Sequence, residues 1–210
     1  MDKLEDSWNS FSPDVALGYL KTHGYPSENS KAIVLEILKK YSGTRKISVL
    51  DLGCGNAQLY EHFKAMGLHC FYVGVDFSAA LLEAAKTIHR NDENIRLIKD
   101  DVSELGMVDG KYDFAIYSHV IEIMSSPEKS LLKAQKLARG IIIRFFEPPD
   151  FEDDTVELKE MDVGQESKVP YLRRKMGKDY YRLILTKMGC TRVDVYRDES
   201  AKDQVHVLHY

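Results

Sequence analysis

The stretch that decides the fold is Val49-Leu50-Asp51-Leu52-Gly53-Cys54-Gly55-Asn56, read as VLDLGCGN. It closes a short apolar run, ISVLD over residues 47–51, of the kind expected for a strand buried on both faces. A helical pattern follows, with Leu59, Tyr60, Phe63 and Met66 on one side and Gly67 placed to stop it. A Gly-x-Gly turn between a buried strand and a helix suits a chain that takes unusual backbone angles or lets a ligand approach its main chain. Glycines in many such turns serve geometry alone, so the turn needs company before it implies a site.

Outward from the turn, strand-like and helix-like segments alternate. CFYVGVD (70–76) is the second strand, and Ser78 caps a helix carrying Leu81, Leu82, Ala85 and Ile88. IRLI (95–98) is the third strand and YDFAIYSHV (112–120) the fourth. Ser126-Pro127 then opens a helix, and GIIIRFF (140–146) is the fifth strand. Alternation of this kind requires right-handed crossovers and a mostly parallel sheet. The end of the chain differs, since GKDYYRLILTKMG is helical in spacing and TRVDVYR and QVHVLHY flank the polar DESAKD as a hairpin. The expectation is an α/β fold: an open, doubly wound, mostly parallel seven-stranded sheet with helices on both faces and a C-terminal antiparallel hairpin strand.

Composition agrees with one soluble domain. The 210 residues are 44% hydrophobic and 30% charged, a mixture typical of globular chains, and a chain this long buries roughly 70% of its unfolded surface without staples. A net charge of -4 argues against phosphate-backbone binding as the main task, and so against a nucleic-acid partner. Cys54, Cys70 and Cys190 are odd in number and lack C-x-x-C spacing, which points away from disulfides and metal and toward a reducing, cytoplasmic setting. The first residues, MDKLEDSWNS, show no basic segment followed by an apolar one, and no run approaches 18 apolar residues, so neither an export signal nor a membrane span is expected.

Two later acids stand where the next parallel strands should end, at the edge where open α/β sheets bind ligands. Asp76 closes the second strand, and a carboxylate about 20 residues beyond a glycine turn can accept hydrogen bonds from both hydroxyls of a ribose. Asp101, in KDDVSEL, follows the third strand and could meet an adenine edge. The competing reading is that both acids cap helices or turns.

Together these motifs resemble the class I S-adenosylmethionine-dependent methyltransferases, in particular the small-molecule type with a VLDLGCGxG first motif. The resemblance covers about residues 47–210. It implies a Rossmann-like methyltransferase fold, S-adenosyl-L-methionine as cofactor, and methyl transfer to a small molecule, with no metal. Carried onto this chain, Asp51, Gly53 and Gly55 border the methionine part of the cofactor. Asp76 then binds the ribose and Asp101 the adenine, Phe77 and Val102 belong to the same cofactor site, and Ser118, His119 and Val120 lie beside the cofactor. One departure is visible, because the third glycine of many relatives is replaced here by Ala57 or Gln58. That also weakens a nicotinamide-dependent oxidoreductase reading, since G-x-G-x-x-G needs glycine at position 58. A non-catalytic protein that keeps the cofactor pocket is the other alternative.

His119 is the leading candidate for a proton acceptor, because imidazole titrates near neutrality and follows the fourth strand at the sheet edge; shaping the pocket is its alternative role. Glu147, in RFFEPPD, is the second candidate, and Glu122 is read as a cap or a solvated group. Residues 1–46, with Trp8, Phe11, Tyr19 and Tyr25, are expected to form a helical cap. Residues 47–146 form the cofactor core, 147–176 an insertion or lid in which 151–169 shows no convincing period, and 177–210 the closing helix and hairpin. Within the insertion the basic cluster YLRRK (171–175) reads as a solvated helix start.

Overall fold

A computed structural model describes Ser12, Asp14 and residues 29–124, 126–162, 168–198 and 203–210. The aromatic residues Trp8, Phe11, Tyr19 and Tyr25 lie outside the described residues. In chain order the elements are α1 (Asn29–Ser42), β1 (Ile47–Leu52), α2 (Gln58–Ala65), β2 (Cys70–Asp76), α3 (Ala79–Ile88), β3 (Ile95–Lys99) and β4 (Tyr112–Ser118). They continue with a single 3-10 turn (Ile121–Ile123), α4 (Pro127–Leu137), β5 (Ala138–Phe145), β6 (Thr155–Asp162), β7 (Lys168–Lys175), α5 (Lys178–Lys187), β8 (Arg192–Arg197) and β9 (Gln204–His209).

Seven strands form one sheet in the order β3-β2-β1-β4-β5-β9-β8. Strands β1 to β5 pair in parallel, and β9 runs antiparallel to both of its neighbours. The antiparallel strand therefore lies inside the sheet, and β8 forms the edge. The expected architecture is the observed one.

Side-chain alternation along the buried strands assigns the two faces. Ile47 and Val49 of β1, Phe114 and Ile116 of β4, and Ile142 of β5 pack with Val34 and Leu38 of α1, Phe63 of α2 and Leu82 of α3. The intervening residues Leu50, Leu52, Ala115, Tyr117, Ile141 and Ile143 pack with Leu131 of α4 and with Tyr181 and Ile184 of α5. Both faces are thus covered, as near-continuous apolar strands require.

The chain winds outward from β1 to β3, then returns to the opposite side of β1 as β4. This reversal is the switch point beyond whose strand ends ligands bind in open α/β sheets. Gly53 to Ala57 follow β1 there, and His119 follows β4.

Several local expectations are corrected. The fourth strand ends at Ser118, because His119 takes a left-handed backbone with φ 58°. In the stretch 151–169, expected to lack a period, the described residues 155–162 and 168–169 are strand, and 171–175 is not a helix start. Residues 155–162 and 168–175 instead form two antiparallel strands in which Thr155 pairs with Lys175 and Asp162 with Lys168. Strand β7 packs against the 3-10 turn after β4. Met66 is half exposed, at 51%, rather than on the buried side of α2. Gly67 does stop α2 in a left-handed conformation, with Leu68 N donating to Phe63 O at 2.9 Å.

Candidate functional site

The glycine turn is held from both sides. The amides of Gly53 and Cys54 both donate to Val75 O, at 2.8 and 3.0 Å, fastening the turn to β2. Gly55 N donates to Asp76 Oδ2 at 2.8 Å, and Ser78 N donates to Oδ1 of the same carboxylate at 2.8 Å. Gly53 and Gly55 have φ of 77° and 55°, angles that glycine takes at no steric cost. A Cβ on Gly53 would lie 2.4 Å from Val120 Cγ2, so the segment leaving β4 packs directly on the turn. A Cβ on Gly55 would meet only Leu81 Cδ1, at 4.0 Å.

Of the two positions that stand in place of a third glycine, Ala57 sits fully buried at φ 62° as the residue before α2. An alanine there costs about 1–2 kcal/mol in backbone strain. The structure therefore keeps the left-handed geometry without the glycine.

Asp51, at the end of β1, is 2% exposed. Its Oδ2 accepts a short hydrogen bond from the Tyr72 hydroxyl, and its Oδ1 has no hydrogen-bond partner among the described residues. Burial pushes its carboxyl up to about 7, with the Tyr72 hydrogen bond opposing the rise and nearby Asp76 adding to it. Burial likewise pushes Asp76 up to about 6, against the backbone hydrogen bonds from Ser78 and Gly55. Asp101 is half-buried and its Oδ1 accepts from Ser103 N at 2.7 Å, so both acids also have the turn-capping role. Phe77 is partly exposed beside Asp76, and Val102 is buried, with its carbonyl accepting from Ser130 Oγ at 2.6 Å.

At the exit of β4 the side chains are cross-tied to β5 and to the approach to β9. His119 N donates to Arg144 O at 2.9 Å, its ring stacks on Phe146 with centroids 3.6 Å apart, and its Nε2 lies 2.9 Å from Asp203 Oδ2. Arg144 is 2% exposed and donates through Nη1 to Ser118 Oγ at 2.9 Å and through Nε to Ser30 Oγ at 2.7 Å. Its Nη2 lies 3.3 Å from Asp203 Oδ2, which also accepts from Ser30 Oγ at 2.7 Å.

Glu122 is neither solvated nor a helix cap. It is 2% exposed and accepts from the Phe146 amide at 2.9 Å and from the Glu147 amide at 3.4 Å, which ties the exits of β4 and β5 together. Burial pushes its carboxyl up to about 7. Glu147 points to the hairpin, pairing with Arg173 Nη2 at 3.3 Å, and the Arg173 guanidinium lies 4.4 Å from the centroid of the Phe146 ring. Among the described residues no group of His, Cys, Asp and Glu could hold a metal ion.

The structure thus collects Asp51, Gly53, Gly55, Asp76, Phe77, Asp101 and Val102 at the ends of β1 to β3, with Ser118 and His119 at the end of β4. Glu147 stands apart on the hairpin side. Tyr72, Glu122, Arg144, Ser30 and Asp203 were not anticipated from the sequence. A lone arginine in the apolar run GIIIRFF is the one signal that could have found Arg144, because a buried charge requires a partner.

Residues 49–139 match the model of the family described as a methyltransferase domain. The ribosomal protein L11 methyltransferase of Thermosipho africanus is 35% identical over 109 residues, covering 51% of this chain and 40% of that protein. The chain spans about half the length of the curated relatives it matches. A solved magnesium protoporphyrin IX methyltransferase from Synechocystis, with its methyl donor bound, superposes with a TM-score of 0.65 at 16% identity, covering 98% of this chain and 95% of that one. An amino pentose methyltransferase from Micromonospora echinaspora gives 0.66 at 14% identity, with 90% and 93% covered. The glycine turn thus lies in a stretch that matches a methyltransferase domain, and the fold around it is that of solved methyltransferases.

Proposed function

We propose that this chain binds S-adenosylmethionine across the ends of β1, β2 and β3 and passes its methyl group to a small-molecule acceptor. The observation that carries this reading is the placement of three acids, Asp51, Asp76 and Asp101, at the ends of three adjacent parallel strands around one tied glycine turn.

The residues fit the donor. Asp51 Oδ1 is a buried acceptor with no partner among the described residues, which suits the amino group of the methionine part. Asp76 uses each oxygen for one backbone amide and retains lone pairs for the two ribose hydroxyls. The open side of Gly55 leaves the main chain approachable. Phe77, Asp101 and Val102 would border the adenine, and Ser118 with His119 the reacting end.

When bound, the donor supplies a methyl carbon on a positively charged sulfur, which the acceptor's lone pair displaces while the carbon–sulfur electrons stay on sulfur. The chain's task is then alignment and exclusion of water, and positioning of this kind can supply about 7–11 kcal/mol in favourable cases. His119 takes the acceptor's proton where the acceptor carries one at neutral pH. Glu147, paired with Arg173, acts on the hairpin side by holding β7 beside the site as a cover.

Small molecules as acceptors are supported by the names of the structural neighbours, which act on magnesium protoporphyrin IX and on an amino pentose. A cytoplasmic setting is supported by the three free cysteines. Calorimetric titration with S-adenosylhomocysteine, with NADH as comparator, tests the reading. Saturable binding of the first alone is expected, and binding of NADH alone would refute it.

A further inference from the structure

Tyr72 reaches the candidate site from inside β2, and it does so because residue 74 is glycine. In the β1–β2 register Tyr72 stands beside Val49 and Gly74 beside Asp51, so the Tyr72 ring has to run forward past residue 74 to bring its hydroxyl to Asp51 Oδ2. A Cβ on Gly74 would lie 3.0 Å from Tyr72 Cε1 and 2.7 Å from Cys54 Sγ. The ring and the thiol of the glycine turn thus fill the space a side chain would take. The ring is buried and packs on Tyr60 with centroids 4.9 Å apart. A phenylalanine would fill the same space without a polar group to bury, so the hydroxyl's partner is what distinguishes tyrosine here.

That partner has one oxygen fixed and one available. Oδ2 of Asp51 accepts from Tyr72, and Oδ1 is buried with no hydrogen-bond partner among the described residues. Burial pushes the Tyr72 hydroxyl up, so it keeps its proton and donates. A hydrogen bond given to a carboxylate favours its ionised form, and the one from Tyr72 opposes the rise that burial imposes on Asp51. The other groups facing Asp51 set its surroundings: Asp76 of β2 raises it further, Arg144 of β5 lowers it, and the Cys54 thiol, pushed up by burial, stays neutral. From β4 the register neighbour is the apolar Ile116.

We propose that Tyr72 is a positioning residue of the donor site: its hydroxyl anchors Asp51 by Oδ2, keeps that carboxylate ionised, and leaves Oδ1 as the oxygen that accepts from the ammonium group of the donor's methionine part. This rests on the reading of the strand ends as an S-adenosylmethionine site and deepens it. Tyr72 itself touches no ligand and acts only through Asp51, so its signature is a dependence on pH and not a uniform loss of affinity.

The test is the affinity of the full chain for S-adenosylhomocysteine, measured by calorimetry across pH in the unmodified chain, in Tyr72→Phe, and in a chain with 3-fluorotyrosine, a stronger donor of nearly the same size, at position 72. Binding to the unmodified chain is expected to strengthen as pH rises through about 7, where Asp51 ionises. In Tyr72→Phe that midpoint should rise by about one unit, so the loss of affinity is about tenfold at about pH 6 and shrinks to within about threefold at about pH 9. Comparing the chains at each pH cancels the ligand's own titration. Fluorotyrosine should move the midpoint the other way. An unmoved midpoint in folded Tyr72→Phe overturns the proposal, and so does an equal loss at every pH, which would assign Tyr72 to packing alone. If Tyr72→Phe does not fold, the fluorotyrosine chain decides: a lower midpoint supports the proposal and an unmoved or higher one overturns it. Failure of S-adenosylhomocysteine to bind the unmodified chain would refute the donor reading and the proposal together, whereas binding with a pH-independent loss refutes the proposal alone.

Discussion

The amide of Gly55 donates to the carboxylate of Asp76 across 2.8 Å, so the residue expected to hold the ribose also holds the turn. Site and scaffold share one side chain, and its loss acts on both. Asp76→Ala should weaken S-adenosylhomocysteine binding at least about tenfold and, by orphaning two buried amides, destabilise the chain by about 2–4 kcal/mol. Calorimetry and denaturant unfolding separate the two effects. Unchanged affinity in a folded variant would remove Asp76 from the donor site.

Asp51 links the site to pH. Its folded pKa, about 7, lies above the ordinary value of 3.8, so between those values the folded chain holds a proton that the unfolded chain releases. The stability it contributes is full below about pH 4 and is lost as pH rises to about 7. Asp51→Asn, which keeps an oxygen for the Tyr72 hydroxyl, should therefore flatten the fall in unfolding free energy between pH 5 and about 8, and weaken donor binding at the upper end. Guanidinium titrations at the two pH values measure the slope. Identical slopes in both chains would contradict the burial argument.

Gly53 is required by the fold as much as by any ligand. Gly53→Ala adds a Cβ 2.4 Å from Val120 Cγ2 at φ 77°, and should cost about 2–4 kcal/mol. Adding Val120→Ala should return the steric part and leave the backbone part, giving a favourable coupling in a double-mutant cycle. Simple additivity would mean that the turn and the β4 exit do not meet as described.

At Ala57 two terms oppose each other. Ala57→Gly relieves about 1–2 kcal/mol of left-handed strain and removes a buried methyl worth about 0.8 kcal/mol, so stability should change by less than about 1 kcal/mol. Ala57→Val should cost several times more, because a β-branched residue fits φ 62° poorly. Melting curves of the two variants decide between strain relief and packing at this position.

What could be read in advance was local. The alternation of buried strands and capped helices, the glycine turn, and the acids at the ends of β1 and β2 are each legible within about 25 residues, and the structure shows the same elements. The tie between His119 and Asp203 spans 84 residues and joins two segments whose proximity depends on β9 entering between β5 and β8. No period in the sequence encodes that. Glu122 looked solvated because one carboxylate between isoleucines suggests a surface turn, whereas its oxygens are consumed by the amides leaving β5. The hairpin was missed for a different reason. Val156 and Leu158 alternate with Glu157 and Lys159 as in a strand, but both apolar residues face outward, at 51% and 70% exposure, so the segment lacks a clear buried face.

The most direct test of the donor site is a crystal structure of this chain with S-adenosylhomocysteine at saturating concentration. The account predicts the ribose hydroxyls on the Asp76 carboxylate, the amino group within hydrogen-bond distance of Asp51 Oδ1, and the sulfur facing the Ser118–His119 exit of β4. Ligand density elsewhere, or an unliganded glycine turn in such crystals, would contradict it.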